Sequence, residues 1–104
     1  MPATPAAPRS RLRVAVTRRL PEAVETRMSE LFDVALRDDD RKISSDQLVS
    51  LMQDADVLVP TVTDQITAAM LARAGERLKL IANFGAGIDH IDVMSARQRG
   101  VLVS

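Results

Sequence analysis

The chain contains no cysteine, no tryptophan and no tyrosine, and only two phenylalanines. Without thiols it can form no disulfide, no thiolate metal site and no cysteine nucleophile, a pattern that suits a reducing, cytoplasmic setting. With so few aromatic rings it almost lacks the stacking platform on which single-stranded nucleic acids are held. An excess of one charge is missing too: 14 Lys and Arg balance 14 Asp and Glu, so no net field draws the chain toward nucleic acid or an acidic membrane. No apolar run approaches the ~18 residues that a membrane span requires. Neither nucleic acid nor membrane is therefore expected as a partner. What remains is a chain that is 46% hydrophobic, whose core must be aliphatic.

A chain of 104 residues has room for one domain, burying roughly 60 to 70% of its unfolded surface. Residues 1–10, rich in proline and alanine, read as a short disordered leader, and residues 11–104 as the folded domain. Leu12, Val14 and Val16 alternate with Arg13, Ala15 and Thr17 as a first strand. Pro21 suits a first helical position, with Glu22 and Glu25 at the positive end of the helix dipole and Val24, Met28 and Leu31 at helical spacing. Residues 32–36 read as a second strand and 37–42 as a charged, solvated connection. Ser45 and Asp46 can cap a helix over 47–53. Residues 56–59 then form a third strand, stopped by Pro60. Thr63 opens a further helix, with Ile66, Met70 and Leu71 facing inward and Gly75 ending it.

The nearly continuous apolar run at 78–82 has the character of a central strand covered on both faces. Asp92 can cap a helix over 93–99, Gly100 ends it, and 101–103 read as a fifth strand. Strands alternating with helices imply βαβ units and a doubly wound parallel sheet, with either of the two common strand orders.

In such sheets ligands sit beyond the carboxyl ends of the strands. The loop Asn83-Phe84-Gly85-Ala86-Gly87-Ile88-Asp89-His90 occupies that position after the fourth strand. Its glycines let backbone N–H groups approach an anion. A dinucleotide fingerprint would need a third glycine where His90 stands. Asp89 and Asp92 are three apart, but no histidine or acidic cluster completes a metal set, so loop bracing and helix capping are their expected roles.

The wider segment is more specific. Residues 78–92, followed by Ala96, Arg99-Gly100-Val101 and Val103-Ser104, closely resemble the D-isomer-specific 2-hydroxyacid dehydrogenase family, its glyoxylate and hydroxypyruvate reductase branch in particular. The resemblance is strong over residues 55–104 and diffuse before them. It implies a flavodoxin-like substrate domain with strand order 2-1-3-4-5, here truncated after strand 5, and a nucleotide-binding Rossmann domain that is absent from this chain. It also implies that the backbone amides at Ala86 and Gly87 hold the carboxylate of a small 2-oxo or 2-hydroxy acid, with Val62 lining the same pocket. Asn83 points into that region, either to brace the loop or to contact the ligand. The family's acid-base histidine, its supporting glutamate and its substrate-binding arginine fall beyond position 104. No catalytic residue is thus expected here, and His90 is expected to be a structural neighbour of the loop.

By this resemblance the intact enzyme, a homodimer, uses NAD or NADP to interconvert D-2-hydroxy acids and 2-oxo acids. The 104 residues alone should bind no cofactor and no metal, and should be inactive. A stand-alone flavodoxin-like binding or interaction module is the competing expectation. Because no helix follows the fifth strand, the sheet face that such a helix would cover should be left bare over strands 4 and 5.

Overall fold

A computed structural model describes residues 12–37, 43–85 and 87–104. The expected leader and most of the charged connection lie outside them. Five strands, β1 (Arg13–Val16), β2 (Asp33–Ala35), β3 (Val57–Val59), β4 (Leu80–Ile81) and β5 (Leu102–Val103), alternate with four helices. The helices are α1 (Glu22–Leu31), α2 (Ser45–Asp54), α3 (Ala68–Ala72) and α4 (Val93–Gln98). All strand pairs are parallel, in the order β2-β1-β3-β4-β5. The sheet is thus the one implied by the family resemblance.

Period-2 alternation sorts the strand side chains into two cores. Ala15, Leu58 and Ile81 pack with Leu48 and Met52 of α2, Leu71 of α3 and Ala96 of α4. Val14, Val16 and Val59 pack on the other face with Val24 and Met28 of α1. The registers Ala15↔Leu58 and Leu58↔Ile81 align the first core across the sheet. Leu58 and Ile81 are fully buried, and each such side chain contributes roughly 1.5–3 kcal/mol. At the opposite end from the loops described below, the Asp56 carboxylate accepts from Arg13 N (2.9 Å) and Arg77 Nη2 (3.0 Å), joining the start of β1 to the approach to β4.

Several boundaries differ from the sequence expectations, each for a physical reason. The cap of α2 is Ser44, not Ser45 or Asp46: Ser44 Oγ accepts from Gln47 N (3.1 Å) and Gln47 Oε1 from Ser44 N (3.0 Å). Only that spacing lets serine and glutamine cap each other reciprocally. The third helix does not start at Thr63 but at Ala68, with Thr67 as its cap. Residues 61–64 are instead closed as a turn. Ile66 lies in a strand-like bridge with Ile91. Leu31, expected on the inner stripe of α1, is 47% exposed, because the helix ends there and Phe32 turns inward.

On the α1 face the cover runs out. Leu80 and Leu102, paired in register, alternate with the inward Ile81 and Val103 and so lie on the face where α1 packs with Val14, Val16 and Val59. Leu102 is 69% exposed. A bare aliphatic strip on a sheet edge favours self-association. Exchanging Leu102 for threonine is therefore expected to lower the association of the 104-residue chain in analytical ultracentrifugation and its binding of hydrophobic dye. Its melting should shift little, since exposed substitutions stay within about 0.5 kcal/mol. Unchanged association would place the sticky surface elsewhere.

Candidate functional site

The site is built where β3 and β4 end. Beyond β3, buried Pro60 stops the strand and residues 61–64 turn back, Asp64 N donating to Thr61 O (3.0 Å). The Asp64 side chain is drawn inward, at 1% exposure. Its Oδ2 accepts from Thr61 N (2.9 Å) and from the hydroxyl of Thr17, itself fully buried just after β1. In this strand order the reversal falls between β1 and β3, where doubly wound folds commonly open a ligand crevice. Here the Thr17–Asp64 hydrogen bond ties the residues after β1 and β3 together. Asp64 Oδ1 is buried and has no donor among the described residues.

The loop after β4 is zipped to that turn. Phe84 N donates to Pro60 O (2.8 Å), in a parallel bridge between Thr61 and Phe84. Ile66 N donates to His90 O and Asp92 N to Ile66 O, each at 2.9 Å. Between these two fastenings lie Gly85 (φ 135°) and Gly87 (φ 85°). Both are in the region that disfavours side chains, so the loop path requires glycine there. A Cβ on Gly85 would stand 3.6 Å from Val62 Cγ1. Val62, 54% exposed, is thus brought beside the glycine loop. Ala86 lies outside the described residues. Gly87 is exposed, and its N–H meets no acceptor among the described residues.

Asn83 braces the loop. Its Nδ2 donates to Gly87 O (2.9 Å) and more weakly to Gly85 O (3.4 Å), while its Oδ1 is 2.8 Å from His90 Nε2. Asp92 caps α4, its Oδ1 accepting from Ser95 N (3.0 Å). Asp89 is exposed and makes no hydrogen bond among the described residues. Its expected bracing role passes to Asn83. Among the described residues no group of three His, Asp or Glu could hold a metal ion. Among the described residues no helix is long and apolar enough to cross a membrane.

The glycine loop does not fit a dinucleotide. A pyrophosphate is held where a glycine turn runs straight into a helix N-terminus. Here residues 88–92 intervene before α4, and the carboxylate of Asp92 already occupies its first turn. A depression of about 650 Å³ lies elsewhere, on α1 beside Arg19, Glu22, Glu25 and Glu30. Three carboxylates against the one arginine lining it, Arg19, disfavour an acid substrate there. A smaller one of about 290 Å³ includes His90, Gln65 and Thr67.

The Thr17–Asp64 pair was not singled out from sequence. The signal was present as Thr61 and Asp64, three apart directly after a strand-stopping proline, a spacing at which an aspartate closes a turn on its own backbone.

The geometry defines a doubly wound α/β domain with a glycine-bearing loop beyond the ends of its central strands. The profile of the D-isomer specific 2-hydroxyacid dehydrogenase family, catalytic domain, matches residues 14–104. A glycerate dehydrogenase from Hyphomicrobium methylovorum is 32% identical over 94 residues, covering 90% of this chain and 29% of that protein. A glyoxylate reductase from Thermococcus onnurineus is 34% identical over 92 residues, covering 88% and 27%. Among solved structures, an NAD-binding D-isomer specific 2-hydroxyacid dehydrogenase from Polaromonas sp. JS6 66 superposes with a TM-score of 0.83 at 32% identity, covering 88% and 29%. The chain belongs to the D-isomer specific 2-hydroxyacid dehydrogenase family. It spans less than a third of the length of these relatives.

Proposed function

We propose that this chain seats the carboxylate of a small 2-oxo or 2-hydroxy acid for an NAD(P)-dependent oxidoreductase of the glyoxylate and hydroxypyruvate class. The observation that carries the reading is the loop after β4: two positive-φ glycines, an unengaged Gly87 N–H and Val62 alongside. Backbone N–H groups facing a carboxylate make charge-assisted bonds, and glycine exposes them without steric cost. Ala86 and Gly87 are the proposed donors, Val62 flanks the bound acid, and Asn83 shapes the loop rather than touching it.

The substrate class rests on the glyoxylate reductase and glycerate dehydrogenase among the relatives. The NAD-binding character of the Polaromonas neighbour supports the cofactor class. Since the loop does not fit a dinucleotide, NAD or NADP is taken to be held by segments other than this one, and the 104 residues carry no acid-base group for the reaction. The chain alone is accordingly a binding element without turnover.

Both halves of the reading are open to test on the 104-residue chain. Titrating oxalate into ¹⁵N-labelled protein is expected to move the Gly87 amide and its neighbours, while calorimetry with NAD shows no heat and glyoxylate is not reduced. Oxalate shifts confined to the acidic depression on α1, or micromolar NAD affinity, would overturn it.

A further inference from the structure

Asn83 is held from both sides, and the identity of each atom follows from what it meets. Its side-chain nitrogen faces the carbonyl oxygens of Gly85 and Gly87. Carbonyls only accept, so the atom facing them must be the NH₂ group. Oδ1 therefore faces His90 Nε2 at 2.8 Å. That oxygen carries no proton, so His90 must donate from Nε2–H. His90 is half-buried, and its own backbone carbonyl is tied to Ile66 N at 2.9 Å. The backbone of His90 is thereby anchored to the turn, and its ring meets Asn83.

Peptide planarity carries the consequence outward. The C=O and N–H of a trans peptide point in opposite directions. A Gly87 carbonyl turned in to Asn83 thus turns the N–H of the next residue, Ile88, away from Asn83. Ile88 is 40% exposed, and its N–H has no acceptor among the described residues.

We propose that His90 is a positioning residue for the anion seat: by donating Nε2–H to Asn83 Oδ1 it locks the amide whose N–H groups pin the Gly85 and Gly87 carbonyls inward, so that Ile88 N–H joins Gly87 N–H as a donor to the substrate carboxylate. This rests on the carboxylate-seat reading and adds to it a donor and the side chain that aims it. His90 touches no substrate. It acts through Asn83, in the way that an outer hydrogen bond fixes the orientation of an inner ligand.

The first test uses the unaltered 104-residue chain and no ligand. Long-range ¹H–¹⁵N spectra of the imidazole, recorded where the ring is neutral, should show a protonated Nε2 and a bare Nδ1. The opposite tautomer would overturn the proposal without any variant having to fold. The second test is oxalate titration of the chain and of His90→Gln and His90→Phe, followed by amide shifts. In the unaltered chain Gly87 and Ile88 should both move. Glutamine can still donate to Asn83 and should keep the affinity within about threefold, whereas phenylalanine cannot and should weaken it about tenfold, the effect of losing one net hydrogen bond. If oxalate moves the loop equally in all three, the seat stands and the positioning role falls. If the unaltered chain shows no oxalate shifts in residues 84–90, the seat itself falls and takes the proposal with it.

Discussion

Replacing Asp64 by alanine is expected to destabilise the domain by about 3 kcal/mol and to loosen the turn that carries Val62. The carboxylate is 1% exposed and accepts from the Thr17 hydroxyl and the Thr61 N–H. Hydrogen bonds to a charged group contribute about 1.5–3 kcal/mol each, and a buried donor left without a partner costs about 1–3 kcal/mol. Thr17 is fully buried, so water cannot substitute readily for the lost acceptor. At roughly 4–8 °C per kcal/mol for a domain of this size, melting should fall by more than about 10 °C. Asp64→Asn should cost less. Its oxygen can keep both bonds, and its nitrogen takes the position of Oδ1, which has no donor to lose among the described residues.

Pairing Asp64→Ala with Thr17→Val isolates the interaction in a double-mutant cycle, because removing both partners abolishes the stranded hydroxyl. Chemical denaturation of the four proteins checks this. An Asp64→Ala protein that unfolds within a few tenths of a kcal/mol of the parent would mean that the pair contributes nothing.

The sheet was legible because strand and helix periodicities are carried by the aliphatic residues themselves. Leu12, Val14 and Val16 at period 2, and Val24 and Met28 at helical spacing, locate β1 and α1. The loop after β4 was legible as well, since glycine is required where Gly85 and Gly87 take positive φ. Strand order was not, because the pattern admits two doubly wound arrangements and only the family resemblance chose between them. What escaped depends on long-range partners. The start of α3 moved to Ala68 because Asp64 is pulled toward Thr17, 47 positions away, and because Ile66 pairs with Ile91. No local propensity encodes either. Nor does any local signal tell an asparagine that it will meet the carbonyls of Gly85 and Gly87 on one side and His90 on the other; the folded loop brings those partners together.

Gly75 gives the second large expected effect, and it reverses what the sequence suggests. Read as a helix terminator, Gly75 should have positive φ; the glycines that do are Gly85, Gly87 and Gly100. Where the backbone is of the ordinary kind, exchange to alanine commonly stabilises a protein by about 0.4–1 kcal/mol, through the unfolded chain. Contact decides otherwise here. A Cβ on Gly75 would lie 2.5 Å from Gln53 O, 3.0 Å from Gln53 C and 3.1 Å from Gln53 Cα, all of them backbone in the last turn of α2. That backbone cannot swing aside as a side chain could. Gly75 N donates to Met52 O (3.2 Å), Gln53 Nε2 to Arg73 O (3.0 Å), and Ala55 N to Leu51 O (3.0 Å). To admit one methyl group, the end of α2 and the chain after α3 must separate. Met52 and Leu71 beside that junction are fully buried and Leu78 nearly so, so the separation opens the larger core. Overpacking of this kind costs about 1–3 kcal/mol, and more where backbone must move. Gly75→Ala is accordingly expected to lose about 2–3 kcal/mol in urea unfolding. Gly100→Ala, where φ is 79° and nothing stands within 4 Å, should lose only the ~1 kcal/mol of a left-handed alanine. A Gly75→Ala protein as stable as its parent would show that α2 and the segment after α3 lie further apart in solution than this contact implies.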